Sequence, residues 1–190
     1  MAPANWPNVL TVARIMLVPV LVAALLAGTH DGDILAAIVF ALASLTDFID
    51  GYIARARNSI TTFGKLMDPL ADKLLIIAAL IALVSLHRLA EWVAMVIIAR
   101  ELAVTVLRIG ASQVGVVVAV SLLGKAKTCM QIATIMAVIA VHGHPAWLAA
   151  LIYPTVVITV LSGLDYFFGL RRGQATARTP HAGEAAGGAQ

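Results

Sequence analysis

Long apolar stretches and short polar connections alternate along the chain. A transmembrane helix needs about 20 mainly apolar residues, and this pattern occurs six times. We predict helices at about residues 9–28, 34–56, 66–86, 91–110, 120–141 and 146–169. Residues 1–172 are therefore interpreted as one all-α integral membrane domain with six transmembrane helices. Residues 173–190, rich in Gly, Ala and Thr without apolar periodicity, are interpreted as a mobile tail.

The composition is typical of a membrane protein and excludes both a disordered chain and an ordinary soluble domain. Of the 190 residues 61% are hydrophobic and 12% are charged, and the mean hydropathy is +0.96. The single cysteine, Cys129, excludes an internal disulfide and a metal centre built on cysteines. We identify no cleavable signal, because the first apolar stretch contains Arg14 and no basic stretch precedes it. We expect membrane lipids, and no nucleic acid, as partners.

Lysine and arginine fall almost entirely on one set of connections. Arg88 is the one such residue in the first, third and fifth connections. Nine lie around the second and fourth connections and in the tail: Arg55, Arg57, Lys65, Arg108, Lys125, Lys127, Arg171, Arg172 and Arg178. The positive-inside rule then places both termini in the cytoplasm. We predict a multi-pass protein of the inner or plasma membrane, with His142 and His144 in a loop on the far side.

Two pairs of aspartates interrupt the second and third apolar stretches. Asp47 and Asp50 are three residues apart, and Asp68 and Asp72 are four apart, so each pair shares a helix face, separated by roughly 60° and 40°. Ionisable residues inside a membrane are costly and mark functional sites. Four neighbouring carboxylates are either protonated or bridged by divalent cations, and we favour cations. Oxygen ligands without histidine indicate magnesium or manganese, and a pair of such ions could clamp a pyrophosphate.

Small and basic residues beside the aspartates fit a phosphate-binding site, although each also has a simpler explanation. Gly51, Ala54 and Gly64 would allow a ligand to approach closely, or they could form a tight helix-packing seam. Arg55 suits a phosphate, but it could equally extend to the membrane surface. The hydroxyl of Thr61 could bind a nucleotide, or it could serve the turn.

The stretch from Asp47 to Asp72 matches, without gaps or substitutions, the eight-position signature of the CDP-alcohol phosphotransferases. The resemblance implies a six-helix membrane enzyme, usually a homodimer, that displaces CMP from a CDP-linked donor in a cytoplasmic cavity holding two divalent cations. It implies that Asp47, Asp50 and Asp68 are metal ligands, and that Asp72 is both a ligand and the general base. The donor-binding residues that we predict are Asn8, Thr11, Gly51, Ala54, Arg55, Thr61 and Gly64. Capping of the first helix explains Asn8 about as well.

Three further stretches resemble the bacterial members of this family that use sn-glycerol 3-phosphate: residues 7–14, 64–73, and 100–108 together with 124–128. The implied reaction transfers a phosphatidyl group from CDP-diacylglycerol to sn-glycerol 3-phosphate, giving phosphatidylglycerol phosphate and CMP in phospholipid synthesis. An anionic acceptor needs cations, and the candidates are Arg100, Arg108, Lys125 and Lys127. Positive-inside bias also places basic residues there. Arg100 is harder to dismiss, because a mid-span position beside Glu101 indicates a structural salt bridge or part of a site.

Three alternatives remain open from the sequence. Another acceptor, above all inositol phosphate, would need the same basic residues. A small cation transporter could carry intramembrane carboxylates, but it leaves the glycines and Arg55 unexplained. A catalytically silent scaffold is disfavoured by the intact signature. Lys73, next to Asp72, is interpreted as a snorkelling or helix-pairing cation rather than a catalytic one.

Overall fold

The computed structural model describes the backbone of residues 6–57, 62–113, 122–143 and 145–177. It describes the side chains of residues 12–46, 73–111, 123–143 and 145–170. Within these ranges the chain forms six helices and no strand. They are α1 Trp6–Leu26, α2 His30–Arg57, α3 Thr62–Ser85, α4 Glu91–Gln113, α5 Leu122–Ala140 and α6 Ala146–Ala177. Each predicted segment corresponds to one helix, so the all-α prediction is confirmed.

Two of the described helices contain segments long and apolar enough to cross a membrane, Leu123–Ala140 in α5 and Ala146–Leu170 in α6. Shorter apolar segments occupy Val12–Leu26 in α1 and Lys73–Ser85 in α3. Large apolar side chains are also exposed on the outer faces of the bundle, including Met16, Met95 and Val106 at 66%, 65% and 69%. An apolar surface of this kind fits lipid rather than water. The full set of six predicted spans therefore stays a prediction.

Backbone geometry explains where several helices end. Gly28 follows α1 with a φ of 62°, and Gly143 follows α5 with a φ of 95°. Glycine adopts this left-handed conformation without steric cost and commonly ends helices in this way. The Thr29 hydroxyl then accepts a hydrogen bond from the Gly32 amide at 3.1 Å, which caps the start of α2. At Gly32 an added Cβ would lie 2.5 Å from the Ala24 carbonyl oxygen, so glycine permits the close packing of α1 on α2.

The helices enclose one continuous apolar core. α1 packs against α2 and α3, and α6 packs against α4 and α5. Leu21, Phe40, Leu83, Ile97 and Ile139, from five different helices, are each at most 2% exposed. These contacts hold the helices in one bundle and set the relative positions of the charged residues described below.

A polar seam, defined here as six buried side chains, joins α5 to α6. On each helix its members follow a spacing of four and three residues, which places them on one face. They are Lys127, Gln131 and Thr134 on α5 and Thr155, Thr159 and Ser162 on α6. The hydroxyls of Thr134 and Thr155 are 2.7 Å apart and share a hydrogen bond. Polar groups of this kind hold helices together where the surroundings are apolar.

An ion cluster, the Asp33 clamp, ties the first turn of α2 to the third and fifth connections, and it is formed by Asp33, Arg88 and His142. The Arg88 guanidinium donates to both Asp33 oxygens, at 2.7 and 2.9 Å. His142 Nε2 lies 2.6 Å from Asp33 Oδ2. Burial raises the pKa of Asp33, but the hydrogen bond and charge of Arg88, with His142, outweigh this effect, and the pKa lies below its usual value. Asp33 is 3% exposed, so its charge depends on these partners.

Replacing Asp33 with asparagine should destabilise the protein by about 3–5 kcal/mol at pH 7, because it leaves Arg88 half-buried without its carboxylate. A lowered folded-state pKa contributes stability above the unfolded value of about 4, and this contribution is lost as pH falls further. The gap in unfolding temperature between the parent and Asp33→Asn should therefore be wide at pH 7 and narrow below pH 4. Equal gaps at the two pH values would contradict the ionised Asp33 clamp.

Candidate active site

The four signature aspartates lie on two consecutive helices, at the same end of the bundle. Asp47 and Asp50 fall in the second half of α2, and Asp68 and Asp72 fall in the first half of α3. Four residues connect the two helices, so the end of α2 and the start of α3 are at most about 18 Å apart. α1 packs against both helices. The backbone thus brings both acidic segments to one region, opposite the Asp33 clamp at the start of α2.

The side chains of these four aspartates lie outside the described residues, so their roles stay predictions. The same holds for the predicted donor-binding residues in helical segments: Asn8, Thr11, Gly51, Ala54, Arg55 and Gly64. Thr61 lies outside the described residues altogether. Among the side chains that the structure does describe, no three His, Cys, Asp or Glu form a metal-binding group. The predicted metal site depends on the aspartates, whose carboxylate oxygens suit a hard divalent cation.

Three cations surround one buried carboxylate in the middle of the bundle, and we call Lys73, Arg100, Glu101 and Lys127 the Glu101 cluster. Glu101 Oε2 accepts from Lys73 Nζ at 3.3 Å. Glu101 Oε1 accepts from Arg100 at 3.2 Å and also from Lys127. The side chains of Glu101 and Lys127 are 7% and 5% exposed. Three positive charges against one negative charge leave a surplus of two positive charges.

The Glu101 cluster extends to α6 through Arg100. Its guanidinium donates to Ser162 Oγ at 2.9 Å, and that hydroxyl donates to the Thr159 carbonyl at 2.9 Å. An added Cβ at Gly163 would come within 3.2 Å of Arg100 Cγ, so glycine leaves room for the arginine. The remaining nitrogen, Arg100 Nε, is buried without a hydrogen-bond partner. One carboxylate therefore organises charged and polar groups from α3, α4, α5 and α6.

The four predicted acceptor-binding residues divide into two groups. Arg100 and Lys127 come together at Glu101, which fits the prediction that Arg100 belongs either to a salt bridge or to a site. Arg108 is exposed, and its guanidinium carbon lies 5.6 Å from the ring centroid of Tyr166, in a cation–π contact. Lys125 is exposed near the start of α5. Binding of an acceptor by any of the four stays a prediction.

Two further residues of this region were not predicted as site residues. Lys73 was interpreted as a snorkelling or helix-pairing cation, and its contact with Glu101 fits helix pairing. Arg14 is 4% exposed on α1, the helix that packs against both acidic helices. The sequence did carry a signal for both, since each is a basic residue inside an apolar stretch.

Comparison with known proteins defines the class to which this fold and site belong. Residues 4–161 match the family described as CDP-alcohol phosphatidyltransferase. The chain belongs to this family, as the resemblance of the signature predicted. It is thus a phosphotransferase and a membrane protein, of a family that generally depends on a divalent metal.

Curated relatives point to one reaction within the family. The chain is 42% identical over 181 residues to a CDP-diacylglycerol–glycerol-3-phosphate 3-phosphatidyltransferase of Bacillus subtilis, covering 86% of this chain and 93% of the relative. It is 40% identical over 173 residues to a protein of the same name from Rickettsia felis, with the same coverage. A probable phosphatidylglycerophosphate synthase of Mycobacterium tuberculosis is 40% identical over 168 residues, covering 86% of this chain and 80% of the relative.

The two lysines of α5 should differ sharply in their effect on stability. Lys127→Met removes a buried partner of Glu101, and the resulting loss should be about 1–3 kcal/mol, since Lys73 and Arg100 remain. Lys125→Met is the matched control two residues away, and an exposed change of this kind should stay within about 0.5 kcal/mol. Unfolding temperatures in one detergent measure both. Equal shifts for the two variants would show that Lys127 is not held in the Glu101 cluster.

Proposed function

We propose that this protein transfers the phosphatidyl group of CDP-diacylglycerol to sn-glycerol 3-phosphate, giving phosphatidylglycerol phosphate and CMP. The names of the relatives support both substrates. The observation that carries the choice of an anionic acceptor is the surplus of positive charge in the Glu101 cluster. Charge surplus alone also fits inositol phosphate, and the relatives' names favour glycerol 3-phosphate. Family membership favours a transferase over the cation transporter.

The four aspartates would hold the divalent cations, and their oxygen-only donor set fits magnesium or manganese. When bound, two such ions would neutralise charge on the pyrophosphate of the donor and on the departing CMP. Arg55 at the end of α2 would contact the same phosphates, with Gly51 and Gly64 leaving room for them. These assignments follow the match of residues 47–72 to the family signature.

Asp72 would act as the general base of the transfer. Its carboxylate accepts the proton of the acceptor hydroxyl as that oxygen attacks the phosphorus bearing the diacylglycerol. A new oxygen–phosphorus bond forms while the bond to the CMP oxygen breaks. The leaving group departs as CMP, and the proton stays on Asp72. A base positioned in this way contributes typically 10²- to 10⁴-fold to the rate.

The surrounding architecture follows from the same proposal. All six helices would span the inner or plasma membrane, with the acidic segments opening to the cytoplasm, where the water-soluble acceptor is available. The lysine and arginine bias supports this orientation. The Asp33 clamp would then lie on the far side. A homodimer is proposed from the family resemblance alone.

CMP release by the purified protein tests the reaction. With CDP-diacylglycerol and magnesium or manganese, glycerol 3-phosphate should give faster release than inositol 1-phosphate, inositol or serine, each assayed alone. EDTA should abolish release. Faster release with inositol phosphate would overturn the acceptor and leave the family chemistry intact, whereas release with none of the four would overturn the transfer reaction.

A second assay separates proton removal from metal binding at Asp72. Asp72→Asn keeps an oxygen ligand but removes the base, so turnover should fall at least about 10²-fold. The affinity for CDP-diacylglycerol should fall less, because Asp47, Asp50 and Asp68 keep most of the charge that holds the metal. CMP release and donor binding are measured on the same preparation. Turnover within a few-fold of the parent would place the base elsewhere.

A further inference from the structure

Glu101 has an unusual position for a residue that only stabilises the bundle. Its carboxylate contacts one cation each from α3, α4 and α5, and Arg100 extends the contacts to Ser162 on α6. A buried ion pair is usually a weak source of net stability, because the desolvation of both charges offsets their attraction. Removing one partner is nevertheless costly. Geometry, rather than net stability, is what such a contact can fix.

The contact on α3 involves the residue that directly follows Asp72. Lys73 Nζ lies 3.3 Å from Glu101 Oε2, and the lysine side chain is 21% exposed while that of Glu101 is 7% exposed. α3 makes much of its remaining packing with α1. The Lys73–Glu101 contact therefore joins the turn of α3 that carries Asp72 to α4, and through Lys127 to α5.

We propose that Glu101 is a positioning residue of the transfer reaction, which holds the Asp72 turn of α3 in register with α4 and α5 through Lys73. The inference rests on the function proposed above. In the proposed reaction the cations of the Glu101 cluster attract the acceptor phosphate, and Asp72 removes the proton of the acceptor hydroxyl. The placement of these groups relative to one another therefore sets the rate. A misplacement of about 1 Å can cost 10²-fold in turnover. Lys73 thus contributes through geometry, without touching the reacting atoms.

The charge balance gives this role a distinct kinetic signature. Glu101→Gln removes the one carboxylate and leaves three cations, so attraction for an anionic acceptor does not weaken. The kcat for CMP release should fall by about tenfold to a hundredfold, while the KM for glycerol 3-phosphate stays the same or falls. Lys73→Met should lower kcat similarly and leave the KM for CDP-diacylglycerol within about threefold. If Glu101 served stability alone, kcat per folded molecule would stay within about threefold of the parent.

A double-mutant cycle tests whether the two residues act through one contact. Lys73→Met with Glu101→Gln keeps Arg100 and Lys127, and therefore the same surplus of two positive charges as the parent. Residues that act through a shared contact are not additive. The kcat of the double variant should be no more than about threefold below that of the less active single variant. Losses that multiply would overturn the proposal. Should Glu101→Gln fail to fold, Lys73→Met decides alone, because it leaves Glu101 paired with Arg100 and Lys127.

Hydrogen exchange gives a readout that does not depend on the reaction. Amides of residues 66–78 should exchange faster in Lys73→Met than in the parent, because the Asp72 turn has lost its anchor. Asp33→Asn is the matched control for lost stability, since it breaks a buried ion pair at the other end of the bundle, and it should not raise the exchange of these amides above that of the rest of the bundle. Unchanged exchange in Lys73→Met would overturn the anchoring. If Lys73→Met shows this faster exchange but the parent releases no CMP with glycerol 3-phosphate, the anchoring stands and the proposed function is refuted.

Discussion

The cost of placing charge inside an apolar bundle governs the arrangement of this protein. Of the 190 residues 12% are charged, and among the described side chains the two buried carboxylates, Glu101 and Asp33, each lie among cations. Glu101 with its three cations forms one group, and Asp33 with Arg88 forms another. An isolated buried charge would be prohibitively costly, so each group holds together segments that are distant in the sequence.

The two groups differ in a way that suggests different purposes. In the Asp33 clamp one carboxylate faces one guanidinium in a bidentate pair, and with His142 the clamp joins the start of α2 to the third and fifth connections. The Glu101 cluster is unbalanced by two positive charges, and it lies where the helix carrying Asp68 and Asp72 meets α4 and α5. A balanced pair serves folding, whereas an unbalanced cluster next to acidic segments is suited to a substrate that brings negative charge.

Much of the fold was predictable from the sequence, because helix existence depends on long apolar periodicity. All six helices were predicted within a few residues at most ends, although α6 runs eight residues further than predicted, to Ala177. Its additional residues include Arg171 and Arg172, and arginine has a high intrinsic helix propensity. The aspartate signature likewise identified the family from eight positions. Local patterns of this kind carry their information within a single stretch of chain.

The pairing of charges could not be predicted in the same way, because it depends on how helices pack. Nothing in the spacing of Lys73, Glu101 and Lys127 shows that the packing of three helices brings both lysines to the Glu101 carboxylate. The polar seam between α5 and α6 was detectable, since its members repeat at four and three residues on both helices. The partnership of Asp33 with Arg88 joins residues 55 positions apart. The sequence placed both residues on the same side of the membrane, but it did not show that they pair.

We propose that the four aspartates of α2 and α3 hold the divalent cations on which the phosphate chemistry depends. Counting bound manganese on the purified, chelator-treated protein by paramagnetic resonance tests it most directly. The parent and Asp33→Asn should each bind two ions per chain in the presence of CDP-diacylglycerol, and Asp68→Asn should lose at least one. Equal manganese binding by the parent and Asp68→Asn, or none by the parent, would contradict the account.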